Sequence, residues 1–273
     1  MKKKFEEEGF VFDKEKVLIY SQLYCPLGCR YCFTGDLKFN QRKGVDYLSE
    51  RQIELLKQLP NEVRLIMLGC DTEFFQDPAN AFRILERLSN LDRDISLVTK
   101  MYLAPSLIKK LKEMDNYLRN KGNSLTLSFS IPCMESAKTW ELKAPKPRMR
   151  IKSLRVAHDA ELNTLVAIRP LLPILSNDEL CSIIESTSDF CKGYYSGPLY
   201  MKEINPDLLG DLSNLRIEKL QPHWMPSNNI FYKVEKYGQM DFLRAIIEKS
   251  GHELFEGAAE AIGVINKNEK HRA

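Results

Sequence analysis

The chain has 273 residues, of which 44% are hydrophobic and 28% charged, and a formal net charge of +3. That is enough chain to bury a large core, ordinary for a globular protein, and too weakly basic for a general nucleic-acid coat. Seven cysteines, an odd number with three close together, do not make a disulfide framework. The charged start, Met1 to Glu8, has no apolar stretch like that of a signal peptide, and no apolar run reaches the length of a membrane span. A reducing cytoplasm and no membrane contact are therefore expected.

Residues 1–15 are charged and are expected to form a short arm. Val17-Leu18-Ile19-Tyr20 is a compact apolar run and predicts the first buried strand. Leu48, Ile53, Leu56 and Leu59 follow with helical spacing, opened by Ser49 with Gln52 three residues on. Residues 63–68 predict a second strand. Ala81, Ile84, Leu85, Leu88 and Leu91 predict a helix after Asp77-Pro78. The third strand is 95–99, and Leu107, Ile108, Leu111, Met114 and Leu118 predict the helix behind Ala104-Pro105. The fourth strand, 125–131, alternates clearly. Ile151, Leu154 and Ala157 share one helix face, and the fifth strand is 162–168. Leu180, Ile183, Ile184 and Phe190 predict a helix after Asn177-Asp178, and 198–201 is expected as the sixth strand.

Strands alternating with helices indicate parallel β/α units, and crossovers of one hand curl such a sheet. The expected fold is α/β: a partial (β/α)6 TIM-type barrel over 16–204, preceded by the arm (1–15). A C-terminal extension (205–273) follows, packing on or capping the barrel. In such barrels chemistry gathers at the C-terminal ends of the strands.

Directly after the first strand comes Tyr24-Cys25-Pro26-Leu27-Gly28-Cys29-Arg30-Tyr31-Cys32-Phe33, with cysteines at i, i+4 and i+7. Thiolates this close hold a soft metal centre, and three without a near fourth ligand leave one position open. A [4Fe–4S] cluster whose fourth iron binds a small molecule needs that arrangement. Two other readings stand beside it. Zinc normally takes four ligands, and Cys70 and His158 are remote. A redox pair at Cys29 and Cys32 leaves Cys25 unexplained.

The spacing C-x3-C-x-aromatic-C, with Tyr31 as the aromatic, resembles the signature of the radical S-adenosylmethionine (SAM) enzymes. Further pieces sit at strand ends: Gly69-Cys70-Asp71-Thr72-Glu73, Thr99-Lys100, Phe129-Ser130-Ile131, then Glu141 to Arg150, then Arg169-Pro170. Over residues 17–190 this series resembles the spore photoproduct lyase branch and its smaller relatives. The resemblance implies that Cys25, Cys29 and Cys32 bind three irons and that SAM chelates the fourth. Reductive cleavage of the sulfonium then yields methionine and a 5′-deoxyadenosyl radical that abstracts a hydrogen atom. SAM's ammonium wants acceptors, which Asp71, Thr72 and Glu73 offer, and its carboxylate a cation, Lys100, with Ser130 and Arg169 to complete the shell and Tyr31 to lie against the adenine. The resemblance implies that Thr72, Lys100 and Ser130 lie near SAM. Asp71 and Glu73 have a second reading as helix caps, and Arg169 has one as a partner of Glu141. Cys70 matches the place of a hydrogen-atom donor, against the plainer reading of a buried, inert thiol. Implied partners are SAM, a reductant such as flavodoxin or ferredoxin, and a nucleic-acid or nucleotide substrate.

Between 138 and 155 seven Lys or Arg surround Trp140 against the one acid Glu141. That is a candidate phosphate-and-base surface, or simply the solvated face of a helix. Cys133, Cys181 and Cys191 are too far apart for a second cluster and read as structural thiols. A peptide, amino acid or other metabolite is the alternative substrate class. From a different class, a non-catalytic metal-binding interaction module is the third option, disfavoured by the polar residues at the strand ends.

Overall fold

The structure is a computed structural model and describes residues 2–13, 15–36, 46–224 and 229–270. The chain opens with helix α1 (Lys2–Glu7) and strand β1 (Phe10–Asp13), which pairs antiparallel with β2 (Lys16–Ile19). The charged arm is therefore structured, because Phe5 and Phe10 are fully buried between the charges.

From β2 the predicted alternation holds. α2 (Glu50–Leu56) begins at the Ser49–Gln52 capping box, with both reciprocal bonds made. β3 (Leu65–Leu68) leads to α3 (Pro78–Leu88), capped by Asp77 with Pro78 in the first turn. β4 (Asp94–Thr99) leads to α4 (Pro105–Arg119), and β5 (Leu125–Ser130) to the short α5 (Ala137–Trp140) and α6 (Pro147–Asp159). β6 (Asn163–Ile168) leads to α7 (Asn177–Thr187), whose cap is Ser176.

The sixth parallel strand is not 198–201 but β7 (Tyr194–Ser196), which pairs with β6. Its Tyr-Tyr-Ser is short and carries little apolar signal. The apolar run after it, β8 (Leu199–Met201), leaves the barrel for a second sheet. After α8 (Pro206–Leu209), that sheet is completed by β9 (Leu215–Leu220) and β10 (Phe231–Lys236), in the antiparallel order β8-β10-β9. The chain returns through α9 (Gln239–Lys249) to β11 (Leu254–Phe255), which adds parallel to β7, and ends in α10 (Ala258–Lys270).

The main sheet runs β1-β2-β3-β4-β5-β6-β7-β11 and curls into a half-barrel. One face carries Leu68, Leu97, Leu127 and Phe129 into the core shared with α2, α3, α4, α6 and α7. On the concave face, Leu65, Leu165, Ala167 and Tyr195 pack on Ala258, Ala261, Ile262 and Ile265 of α10. α10 thus partly fills the barrel. It is pinned where Asn266 bonds Asp94 (3.1 Å) and Ser124 (3.2 Å), at the start of β4 and just before β5. Among the described residues no helix is long and apolar enough to cross a membrane.

Candidate active site

A cavity of about 1000 Å3 runs along the open side of the half-barrel. All eleven residues singled out from the sequence line it: Cys25, Cys29, Tyr31 and Cys32 from the loop after β2, Cys70 to Glu73 after β3, Lys100, Ser130 and Arg169. They cover the ends of five consecutive parallel strands, where a barrel places its chemistry.

The cysteine loop is shaped by its neighbours. Asp71 accepts from the Gln22 backbone N–H (2.6 Å) and the Ser21 hydroxyl (3.2 Å). That steadies Gln22 in the left-handed region, with φ 63°. The Arg30 N–H donates to the Trp140 carbonyl (2.9 Å), which ties the loop to α5. Cys29 and Cys32 are half-buried, and burial pushes the Cys29 thiol up to about 11 and raises that of Cys32. Lys100 acts in the opposite direction on both, so its ammonium faces the sulfur end of the cavity. Cys32 Sγ lies 2.9 Å from the Thr34 hydroxyl. All seven cysteines are free, and among the described residues no three His, Cys, Asp or Glu side chains converge as the ligands of one ion do. A single zinc would demand that convergence. By the chemistry of its donors, three thiolates with no fourth protein ligand in the loop, the sulfur set fits a [4Fe–4S] cluster with one open corner.

Around Lys100 the residues form one connected network. Its Nζ donates to the Ser130 hydroxyl (2.6 Å), lies 3.8 Å from Glu141 and sits 5.6 Å from the Tyr31 ring centroid. The Tyr31 hydroxyl donates to Glu141, and its ring packs at 6.3 Å from Trp140. Glu141 pairs with Arg150 at 2.5 Å, both fully buried. Arg150 also donates to the carbonyls of Ser130 and Pro145, both at 2.8 Å. The expected alternative pairing of Arg169 with Glu141 is thus replaced: Arg150 occupies that carboxylate from the first turn of α6.

The acids after β3 divide. Glu73 accepts from the N–H groups of Phe75 (3.0 Å) and Lys100 (2.8 Å) and from the Thr99 hydroxyl (2.7 Å). It is a cap and a clamp between strand ends, as its second sequence reading held. Asp71 leaves Oδ1 unpartnered, and the Thr72 hydroxyl is unpartnered too, although both residues are buried. Burial raises the Asp71 carboxyl to about 6. Two orphaned buried acceptors at a cavity wall fit a cationic ligand group.

At the other end lies Cys70, whose thiol points to the Met67 carbonyl at 3.6 Å and is pushed up to about 12 by burial. It packs with Tyr20, Phe33, Tyr200, Trp224 and Phe231. Trp224 meets Phe33 and Tyr200 edge-on, at 5.5 and 5.3 Å. The Tyr20 hydroxyl holds its carbonyl at 3.0 Å. Arg169 lies over the Trp224 ring at 5.4 Å. The extension from 205 onward therefore does two things: it covers the cavity with Trp224 and fills the barrel with α10.

Sequence reasoning missed Arg150 and Trp224 as site residues. Arg150 was hidden in a basic run, where only the buried neighbours Ile151 and Leu154 hint at its direction. Trp224 sits in a proline-rich stretch with no periodic signal. The exposed members of that run, Lys138, Lys143, Lys146, Arg148, Lys152 and Arg155, leave Arg150 as the one that turns inward.

A curled β/α half-barrel with three cysteines after its first parallel strand defines an iron–sulfur SAM enzyme class. The Radical SAM superfamily profile matches residues 19–186, and the chain belongs to that superfamily, which uses a [4Fe–4S] cluster and SAM. No curated protein matches the chain. Among solved structures it is similar to spore photoproduct lyase complexed with dinucleoside spore photoproduct, with TM-score 0.59 and 12% identity over 85% of this chain and 74% of that one. It is also similar to Streptococcus suis SuiB bound to SAM, with TM-score 0.51 and 13% identity over 71% of this chain and 43% of that one. The chain thus spans under half the length of SuiB, which has also been seen with its precursor peptide SuiA. At these identities the likeness is one of fold.

Proposed function

We propose that this chain cleaves SAM reductively and abstracts a hydrogen atom from a substrate held in the same cavity, with Cys25, Cys29 and Cys32 as the cluster ligands. The observation that carries the proposal is the meeting of those three sulfurs with Lys100, Ser130 and the unpartnered oxygens of Asp71 and Thr72 around one cavity. When bound, the cluster and SAM supply the electron transfer and the hydrogen-abstracting adenosyl group. The chain's residues do the rest. Lys100, steadied by Ser130, offers a cation to the methionine carboxylate. Asp71 Oδ1 and Thr72 Oγ1 offer acceptors to the amino group. Tyr31, fixed by Glu141 and Trp140, offers its ring to the adenine. Arg150 positions this shell from behind and touches no ligand.

Cys70 is the hydrogen-atom donor in this scheme: its S–H bond breaks to quench the product radical, and one electron from the reductant with one proton restores the thiol. A donor needs an intact S–H bond, and a thiol pushed to about 12 keeps its proton at neutral pH. The substrate is nucleotide-directed and the chemistry lyase-like in the first reading, supported by the fold shared with spore photoproduct lyase and by the exposed basic residues beside the cysteine loop. Lys143 lies against Gly28 of that loop, 3.7 Å from where a Cβ would stand, so the same basic surface suits an acidic flavodoxin or ferredoxin. A peptide or small metabolite is the second reading, favoured by the withdrawal of Arg150 from the basic run and by the SuiB likeness. DNA binding that weakens steeply with salt supports the first reading; no binding at low salt leaves the second.

A further inference from the structure

We infer that Arg169, stacked on Trp224 and facing the N-terminus of α10, is the binding site for an oxyanion, a carboxylate or phosphate, carried by the substrate. The inference deepens the radical SAM function proposed above and rests on it for the word substrate. It assigns Arg169 to the substrate end of the cavity, away from the SAM shell that its charge alone suggests.

The two cations of the cavity serve different ends. Lys100 lies 5.6 Å from the ring of Tyr31 in the cysteine loop, whereas Arg169 lies 5.4 Å from the ring of Trp224 and against Gly197. Lys100 is bonded to Ser130 and near Glu141. Arg169 has no carboxylate within ion-pair distance among the described residues and lies 5.4 Å from the centre of the Trp224 ring. A guanidinium held half-buried in a cavity with its donors uncommitted is incomplete without an anion, and its planar fork suits a carboxylate or a phosphate.

The surroundings are built to hold that side chain flat. A Cβ at Gly197 would stand 3.1 Å from Arg169 Nε and 3.3 Å from Cζ, so the guanidinium lies on backbone that has no side chain to displace it. Trp224 covers it from the other direction and is itself held by the Tyr20 hydroxyl and by edge contacts with Phe33 and Tyr200. Beyond the guanidinium, a Gly257 Cβ would stand 4.0 Å from NH1. Gly257 immediately precedes α10, and Gly257, Ala258 and Ala259 line the cavity. The first N–H groups of a helix have no partner within the helix and carry partial positive charge. The nearby acid Glu260 is engaged by the Glu256 N–H at 2.8 Å. An anion on Arg169 would place the group attached to it against Tyr200, Trp224 and the Cys70 thiol, where a hydrogen atom is to be returned.

The test is anaerobic calorimetry on the reconstituted, SAM-loaded protein with phenyl phosphate, benzoate and neutral benzyl alcohol as probes. Saturable binding of phenyl phosphate or benzoate, but not of benzyl alcohol, is expected, and the preferred anion identifies the group. Arg169→Met should weaken that binding at least about ten-fold more than it weakens SAM binding, with Arg169→Lys between. Gly197→Ala, which keeps the guanidinium but crowds it, should also weaken the anion. Absence of anion binding in the wild type, equal binding in Arg169→Met, or a larger loss of SAM than of anion would each overturn the inference. 5′-Deoxyadenosine is measured in the same samples. Its absence beside Arg169-dependent anion binding counts against the proposed function alone, and its presence without anion binding counts against this site alone.

Discussion

Cys70 illustrates how one side chain's surroundings decide its use. Its thiol is kept neutral by burial and by the neighbouring Asp71, and it lines the cavity instead of vanishing into the core. Cys70→Ala is expected to keep SAM cleavage while lowering product yield by about ten-fold or more, equivalent to about 1.4 kcal/mol. Mass spectrometry of product against 5′-deoxyadenosine checks this; an unchanged ratio removes Cys70 from the chemistry. Asp71 gives a pH signature. Its carboxyl is raised to about 6, so the folded protein without ligand takes up a proton as the pH falls toward that value. An ammonium ligand prefers the carboxylate, so SAM affinity should rise as pH passes upward through about 6 and level off above it. By the same linkage Asp71 destabilises the empty fold above about 6, and that cost is relieved as pH falls toward the unfolded value. Asp71→Asn should flatten the affinity profile measured by equilibrium dialysis.

At the scale of elements, the buried pair Glu141–Arg150 ties α6, the loop before it and the end of β5 behind the Lys100 network. Arg150→Met leaves Glu141 buried and without its partner, and should cost about 3–5 kcal/mol in denaturant unfolding. A loss below about 1 kcal/mol would mean the pair is not the strap described here. Gly69 is a second element-level constraint. It has φ 83°, and a Cβ there would stand 2.3 Å from the Val98 carbonyl oxygen. Gly69→Ala should therefore displace β3 from β4 and lower the melting temperature, whereas Gly122→Ala, with φ 79° and open space, tests the backbone term alone.

These elements also show what could be read from the sequence and what could not. Capping signals and apolar periodicity located α2, α3, α4 and the parallel strands β2 to β6, because each is a local property of a buried face. β7 and β11 escaped, since strands of three and two residues carry too little pattern. β7 is a strand because β6 offers an edge to pair with, and β11 because β7 then offers one. The same holds at the site. The cysteine triad is a local pattern and legible, as are the strand-end residues once the barrel is granted. Arg150 among lysines, Trp224 among prolines and α10 inside the barrel are fixed by tertiary contacts alone. Glu73, expected beside the SAM ammonium, also accepts from neighbouring backbone and from Thr99, a clamp between strand ends that no local pattern announces.

For the whole molecule, the half-barrel leaves one side open, and the C-terminal segment both fills it with α10 and covers it with Trp224. Cys133 and Cys191 are buried and Cys181 lies on α7, well apart from the triad in the chain, so a single cluster is expected. Anaerobic reconstitution should load about four irons per chain; about eight would require a second cluster and contradict the present assignment of these thiols. The most direct measurement is the amount of 5′-deoxyadenosine released when the reconstituted protein is reduced in the presence of SAM. Wild-type protein should release it in step with methionine, and substitution of Cys25, Cys29 or Cys32 by alanine should abolish it together with the iron–sulfur absorbance. Iron-loaded protein that binds SAM yet releases no 5′-deoxyadenosine under reduction would contradict the account.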